Sequence, residues 1–319
     1  METIDKTIDT EGAIVVGVGH GAHLSEGTIA FAVTTARQLR VGIQLLHVVP
    51  TLIGGPTGTW DVGITIDQLV REGEAALADA VDRVRQRMGG DQPVSGELLR
   101  GGVIDTLVDR SRFAQMVVLE HRRLSRWDRL STGSITAGVA AHAHAPVVSV
   151  PSGWHVVDDL RPITVAVEDA KRADAELWTA LGLAAASDRP VVVLRVAYLA
   201  AGYEELMLHL DSHEDLLLEA RLGLQRDADL PVSVCERVPC SFEVRWGRPA
   251  EVLVDASYAS SLLVLARRDP VLPFGSHLGP VVREVLRQAA CPVMVVEPSL
   301  APPVVLAEST GRRSNASAG

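Results

Sequence analysis

The sequence predicts an α/β protein built as two doubly wound, five-stranded parallel-sheet domains in tandem. Three observations carry this. One stretch is used twice: residues 115–151 and 261–298 each run from an apolar strand through an Arg-bearing loop to a Gly that opens a helix, then close on a Pro-Val strand. Glu120 and Ala266, Gly133 and Gly279, and Pro146 and Pro292 are each separated by 146 positions. An offset of this size marks a duplicated domain and excludes a short-repeat solenoid. The length of 319 residues suits two domains of ordinary size. Apolar residues make up 47% of the chain but aromatics only 4%, so the cores must be made of Val, Leu, Ala and Ile, which favours helices layered on a sheet over a β-sandwich.

The elements follow in order. Residues 1–12 read as a loose tail. The continuous apolar run at 13–18 (AIVVGV) is a strand buried on both faces. After a Gly-His-Gly turn, Ser25 is an N-cap for a helix reaching Arg40. Residues 43–49 are a second buried strand, and the Gly/Pro/Thr-rich run 51–63 is a loop. Ile66, Leu69, Val70, Leu77, Val81 and Val84 place one apolar stripe on a long helix over 65–87. A strand at 94–99, a helix at 103–113, a strand at 116–119, a helix at 134–144 and a strand at 147–150 complete the first domain. Helices between successive strands imply a parallel sheet covered on both faces.

The second half repeats the plan. Strands are expected at 163–167, 191–196, 262–265 and 293–296, with an irregular third strand over 232–244 around Pro239. Helices are expected at 173–186, 204–226, 249–258 and 281–289. The domains therefore span 13–151 and 162–298, joined by a linker at 152–161 and followed by a Pro- and Ser-rich tail at 299–319.

A net charge of -10 argues against a nucleic-acid protein, which presents a basic face to phosphates. Three cysteines, Cys235, Cys240 and Cys291, fit a reducing, cytoplasmic setting better than a disulfide framework. No secretory leader is evident in the acidic, polar start of the chain. The longest run free of Asp, Glu, Lys and Arg, residues 130–157, is interrupted by Gly133, His142 and Pro146 and is no membrane span.

With IVVGV opening strand one, LLHVV ending strand two, the loop-to-helix stretch, and APVVSV and CPVMVV closing the halves, the chain resembles the universal stress protein family in its tandem, actinobacterial form. The resemblance implies Rossmann-like domains of the adenine nucleotide alpha hydrolase type and a stress-response regulator that binds an adenine nucleotide such as ATP, with Mg²⁺, weakly or in one domain. The alternative is a degenerate interaction or scaffold module of the same family. In the ATP-binding branch a Gly, two residues, a Gly, nine residues and then Gly-Ser or Gly-Thr cradle the phosphates, while an acid at the end of strand one serves the adenine and ribose side. Glycines let backbone amides approach oxygen anions, and a helix N-terminus adds favourable potential.

Here the spacing is kept and the chemistry altered. The motif positions are Glu120, Arg123, Gly133 and Ser134 in the first domain, and Ala266, Asp269, Gly279 and Pro280 in the second. The acid position is Gly19 in the first and Glu168 in the second. The first domain thus keeps a phosphate end at Gly133, Ser134, Ile135 and Thr136; in the second, Pro280 removes an amide and a hydroxyl. Glu120 and Asp269 bring negative charge to where phosphate would lie. The resemblance carries nucleotide-binding positions onto Val48, Arg123, Gly133, Ser134, Ile135, Thr136, Glu168, Val196 and Gly279. It also implies that the domains' last strands meet across a pseudo-twofold, and that two chains associate as a dimer through them.

Other candidates have plainer readings beside them. His121, Arg122, Arg123, Arg126 and Arg129 offer guanidinium donors in place of the missing glycines, or a solvated or interface loop. Arg267 and Arg268 repeat the choice. His142 and His144, two apart, do not share a helical face and make a poor metal pair. His20 and His23 lie at the ligand end of strand one, and a polar turn is the simpler account. Cys235 and Cys240 flank Pro239 without the two further ligands zinc needs and without a CxxC redox arrangement. No catalytic constellation or metal site is recognised, so the expectation is a binding protein and not an enzyme.

Overall fold

The computed structural model describes residues 12–19, 23–50, 66–90, 92–121, 135–156, 160–198, 213–268 and 278–298. The chain divides into two compact units, Met1–Val157 and Asp158–Gly319.

In the first unit the strands are β1 (Ala13–Gly17), β2 (Ile43–Pro50), β3 (Val94–Gly101), β4 (Ala114–His121) and β5 (Val147–Pro151). They lie in the order β3-β2-β1-β4-β5, every neighbouring pair parallel. The crossovers are α1 (Glu26–Leu39), α2 (Ile66–Met88), α3 (Val103–Ser111) and α4 (Ile135–His142). Strands with helices on both faces have no solvated side, so β1 reads as an unbroken apolar run and β2 as one broken only by Gln44 and His47, which are themselves buried: Ile14, Val15 and Val16, and Leu45 and Leu46, are at most 1% exposed. Ser25 begins α1 as the sequence suggests, its hydroxyl accepting from the Thr28 amide at 3.2 Å.

The second unit has β6 (Ile163–Ala166), β7 (Val191–Ala197), β8 (Cys240–Trp246), β9 (Leu262–Ala266) and β10 (Val293–Val296), ordered β8-β7-β6-β9-β10 and again parallel. Its helices are α5 (Asp174–Ser187), α6 (His213–Ala228), α7 (Val232–Arg237), α8 (Pro249–Ser257) and α9 (Pro280–Gln288). A 3₁₀ turn, Ala170–Arg172, precedes α5 and is capped by the Asp169 carboxylate. The order places strand three at one edge and strand five at the other, as in the first unit. In both units the strand order therefore reverses between strand one and strand four.

One expectation changes. Residues 232–244 are not one irregular strand: helix α7 comes first, and β8 begins only at Cys240. Valine-rich composition favours a strand, but Val234 and Val238 face inward four residues apart while Val232 is 74% exposed, which is a helical period. The helix expected over 204–226 is α6, and residues 204–212 lie outside the described residues. The loop at 51–63 and both tails, except Gly12, also lie outside them.

Candidate functional site

In an open parallel sheet, ligands sit beyond the carboxyl ends of the strands where the order reverses. In the first unit that point lies between the ends of β1 and β4. The two strands approach closely here, because a Cβ on Gly17 would come within 2.5 Å of Leu119 Cδ2. Beyond them stands Glu120. Its Oε2 accepts from the Ser25 amide at 2.6 Å and from the Thr28 hydroxyl at 3.0 Å. The amides opening a helix carry partial positive charge and lack intrahelical partners, so a carboxylate is well placed on them. Glu120 is thus a structural anion on the start of α1, a role its place in the motif did not reveal.

The other first-unit candidates divide. Val48, 7% exposed, lies two residues before the end of β2, Thr136 is buried in the first turn of α4, and Ile135 is 39% exposed. Arg122, Arg123, Arg126, Arg129, Gly133, Ser134 and His20 lie outside the described residues. His23 points to α2, its Nδ1 2.9 Å from Asp79 Oδ2, and this hydrogen bond holds the Asp79 carboxyl below its ordinary value. His47 is a buried residue the motif reading passed over. Its Nδ1 lies 3.0 Å from the Val18 carbonyl, and a Cβ on Gly73 of α2 would come within 2.5 Å of its ring. His142 Nδ1 meets the Gly138 carbonyl at 3.0 Å within its own helix.

In the second unit Val167 donates to the Leu194 carbonyl just as Val18 donates to that of Leu46, so Glu168 and Gly19 hold equivalent places. The Glu168 carboxylate reaches across to β9's end and binds Arg268 Nη2 at 2.6 Å. The same arginine lies over the start of α9, where a Cβ on Gly279 would be 3.8 Å from Arg268 Cδ. Gly279 is the N-cap of α9 with no side-chain cap, and Pro280 occupies the first turn. Arg267 goes elsewhere: it is 10% exposed and binds Glu297 at 2.7 Å, tying β9 to the end of β10. Three candidates therefore come together, Glu168, Arg268 and Gly279, with half-buried Val196 on neighbouring β7. Asp269 lies outside the described residues.

The third residue of α5 is Glu176, where α1 has Thr28; α5 packs on β9 as α1 packs on β4. Glu176 is 5% exposed, and its Oε2 has no hydrogen-bond partner among the described residues. Burial pushes its carboxyl up to about 7; its own backbone amide opposes this and Asp174 adds to it.

The universal stress protein family model matches residues 12–151 and 160–297, one copy on each unit. The chain belongs to the universal stress protein family. Among relatives of this tandem kind, one universal stress protein of Mycobacterium tuberculosis is 26% identical over 320 residues, covering 90% of this chain and 95% of the relative. Another from the same organism is 28% identical over 305 residues, covering 90% and 97%. A crystal structure of a universal stress protein from Archaeoglobus fulgidus has the same fold, with a TM-score of 0.61 at 16% identity over 90% of this chain and 96% of that one. Among the described residues, no helix is long and apolar enough to cross a membrane, and no group of three or more His, Cys, Asp or Glu is placed to hold a metal ion.

Proposed function

We propose that this universal stress protein is a cytoplasmic stress-response regulator that binds an adenine nucleotide weakly and in its second unit, without turning it over. The observation that carries the reading is Arg268, held between Glu168 and the uncapped start of α9. The Arg268–Glu168 pair is exposed, 59% and 78%, and an exposed ion pair contributes at most about 1 kcal/mol. A phosphate can take the guanidinium from the carboxylate at little cost, and guanidinium pairs with phosphate in two parallel hydrogen bonds. Glu168, once released, is free to accept from a ribose hydroxyl or an adenine amino group. The start of α9 adds favourable potential for an anion, which offsets part of what Pro280 removes.

The scaffold reading suits the first unit. Glu120 already occupies the start of α1, and the acid position is Gly19. One unit then binds and the other supports.

Titration calorimetry with ATP, ADP and adenosine, with and without Mg²⁺, tests the proposal. Binding of one nucleotide per chain is expected, weakened in Arg268→Ala. Absence of heat at high protein concentration sinks it, and so does binding that Arg268→Ala leaves unchanged.

A further inference from the structure

Helix α6 packs on β8, the edge strand of the second unit's sheet, with Leu224 and Ala228 turned inward and at most 8% exposed. Lys171 Nζ lies 3.5 Å from Asp227 Oδ1, which ties the helix to the 3₁₀ turn at Ala170–Arg172. These anchors fix which side of α6 meets solvent. Asp215, Leu218, Leu222 and Arg226 are spaced by three, four and four residues and so share one face. All are exposed, the two leucines by 54% and 51%. Asp215 and Arg226 have no ion-pair partner among the described residues. The fold does not require leucines here. In α2, the matching crossover of the first unit, the outer face carries Glu74, Ala78, Asp82 and Arg85, and after Ile66 no large hydrophobic residue is exposed. One exposed leucine is ordinary, but two in line between unpaired charges of opposite sign mark a contact surface.

We propose that this face of α6 binds the same face of a second copy of the chain, helix against helix and antiparallel across a twofold axis. A twofold contact sets one residue against another and repeats the pair in reverse. Leu218 then lies against Leu222 of the second copy, and Leu222 against its Leu218. Beyond the leucines each charge falls opposite its complement: Asp215 meets Arg226 of the second copy at one end, and Arg226 meets its Asp215 at the other. The spacings from Asp215 to Leu218 and from Leu222 to Arg226 differ by one residue, about 1.5 Å of helix rise, which an arginine side chain spans. A parallel pairing would set Asp215 on Asp215 and Arg226 on Arg226, so charge selects the antiparallel one. The reversal of sign about the leucines is what a second copy matches by symmetry, and this is why the occupant is the chain itself. Glu219 and Arg221 lie on the two flanks of the face, at the exposed rim, where solvent screens them. One helix from each copy makes a small contact, below about 1,200 Å², so the association is transient and depends on concentration.

Charge reversal tests the pairing directly. The full-length chain is sedimented over a series from micromolar to near-millimolar concentration, and its average mass is followed upward from that of the 34.0 kDa chain. The wild-type mass is expected to rise with concentration. Leu218→Ser with Leu222→Ser should abolish the rise. Asp215→Arg and Arg226→Asp should each move it to about tenfold higher concentration, the scale of turning two exposed attractive pairs into repulsive ones. The double reversal restores both pairs and should restore the rise. An equimolar mixture of the two single variants should restore it too, because each copy then offers the charge that the other lacks. No rise in the wild type overturns the proposal and leaves the face to solvent or to the chain's own residues 299–319. A rise that the reversals leave unchanged also overturns it, since association then runs through another surface, such as the last strands. So does a mixture that associates no better than either variant alone. The mixing arm decides even where the leucine variant fails to fold.

Discussion

The hydroxyl of Ser111 accepts from the His144 amide at 2.8 Å, and the hydroxyl of Ser257 accepts from the Ala290 amide at 2.9 Å. Each hydroxyl also donates to the carbonyl three residues before it, in Val108 or Val254. The two serines end α3 and α8, so each unit fastens its third crossover helix to the chain that enters its last strand by one side chain. Removing either hydroxyl leaves a part-buried amide without that acceptor, at a cost of about 1–2 kcal/mol. Ser111→Ala and Ser257→Ala should each lower the urea midpoint. With no shared partner their losses should add in the double variant. A double variant no worse than one single variant would show that the bonds do not carry this load.

Glu120 makes a second prediction. Glu120→Ala removes the acceptor of the Ser25 amide and the Thr28 hydroxyl. A loss of about 1–3 kcal/mol is expected, measured by urea unfolding, because the acceptor is charged and part-buried. It also vacates the start of α1. Millimolar sulfate should therefore stabilise the variant more than the wild type, compared with chloride at equal ionic strength.

The proposed nucleotide site predicts a split between its two charged residues. Arg268→Ala should weaken ATP about tenfold, on the scale of a lost charge-assisted bond, and leave adenosine unchanged. Glu168→Gln should weaken adenosine and ATP alike. Calorimetry with both ligands checks this, and an equal loss of both in Arg268→Ala would place the arginine away from the phosphates.

Glu176 predicts a pH dependence. Below pH 4.5 its carboxyl is protonated in both the folded and unfolded chain and costs nothing. Between 4.5 and about 7 the unfolded chain ionises first, so stability falls as pH rises; above about 7 the penalty is constant. The full penalty is on the order of 3 kcal/mol. Glu176→Gln should remove this slope and stabilise the second unit at pH 8 while changing little at pH 4.5. Hydrogen exchange over 174–187, compared at the two pH values, measures it.

The sheet was legible in the sequence because strands covered on both faces are mostly apolar, and runs such as AIVVGV and VMVV have no other economical reading. Where burial was partial, the reading failed. In 232–244 valine composition hid the four-residue spacing of Val234 and Val238. At the site, the motif positions found Glu168, Gly279 and Glu120, but not what the acids do. The partners of Glu120 lie 95 and 92 residues away, and that of Glu168 lies 100 away. The fate of the Arg267–Arg268 pair was equally hidden, since adjacent side chains on a strand end point opposite ways.

The exchange of Thr28 for Glu176, beside that of Glu120 for Ala266, bears on how the copies can evolve. Each half-domain now carries one member of a matched set. A recombinant joining the first-helix region of the second copy to the fourth strand of the first would inherit both acids, Glu176 and Glu120, crowded against one helical turn. The reciprocal recombinant would inherit neither, leaving Ala266 facing a bare threonine. Exchanging segments between the two copies at this point is therefore expected to cost stability, although each copy is consistent within itself.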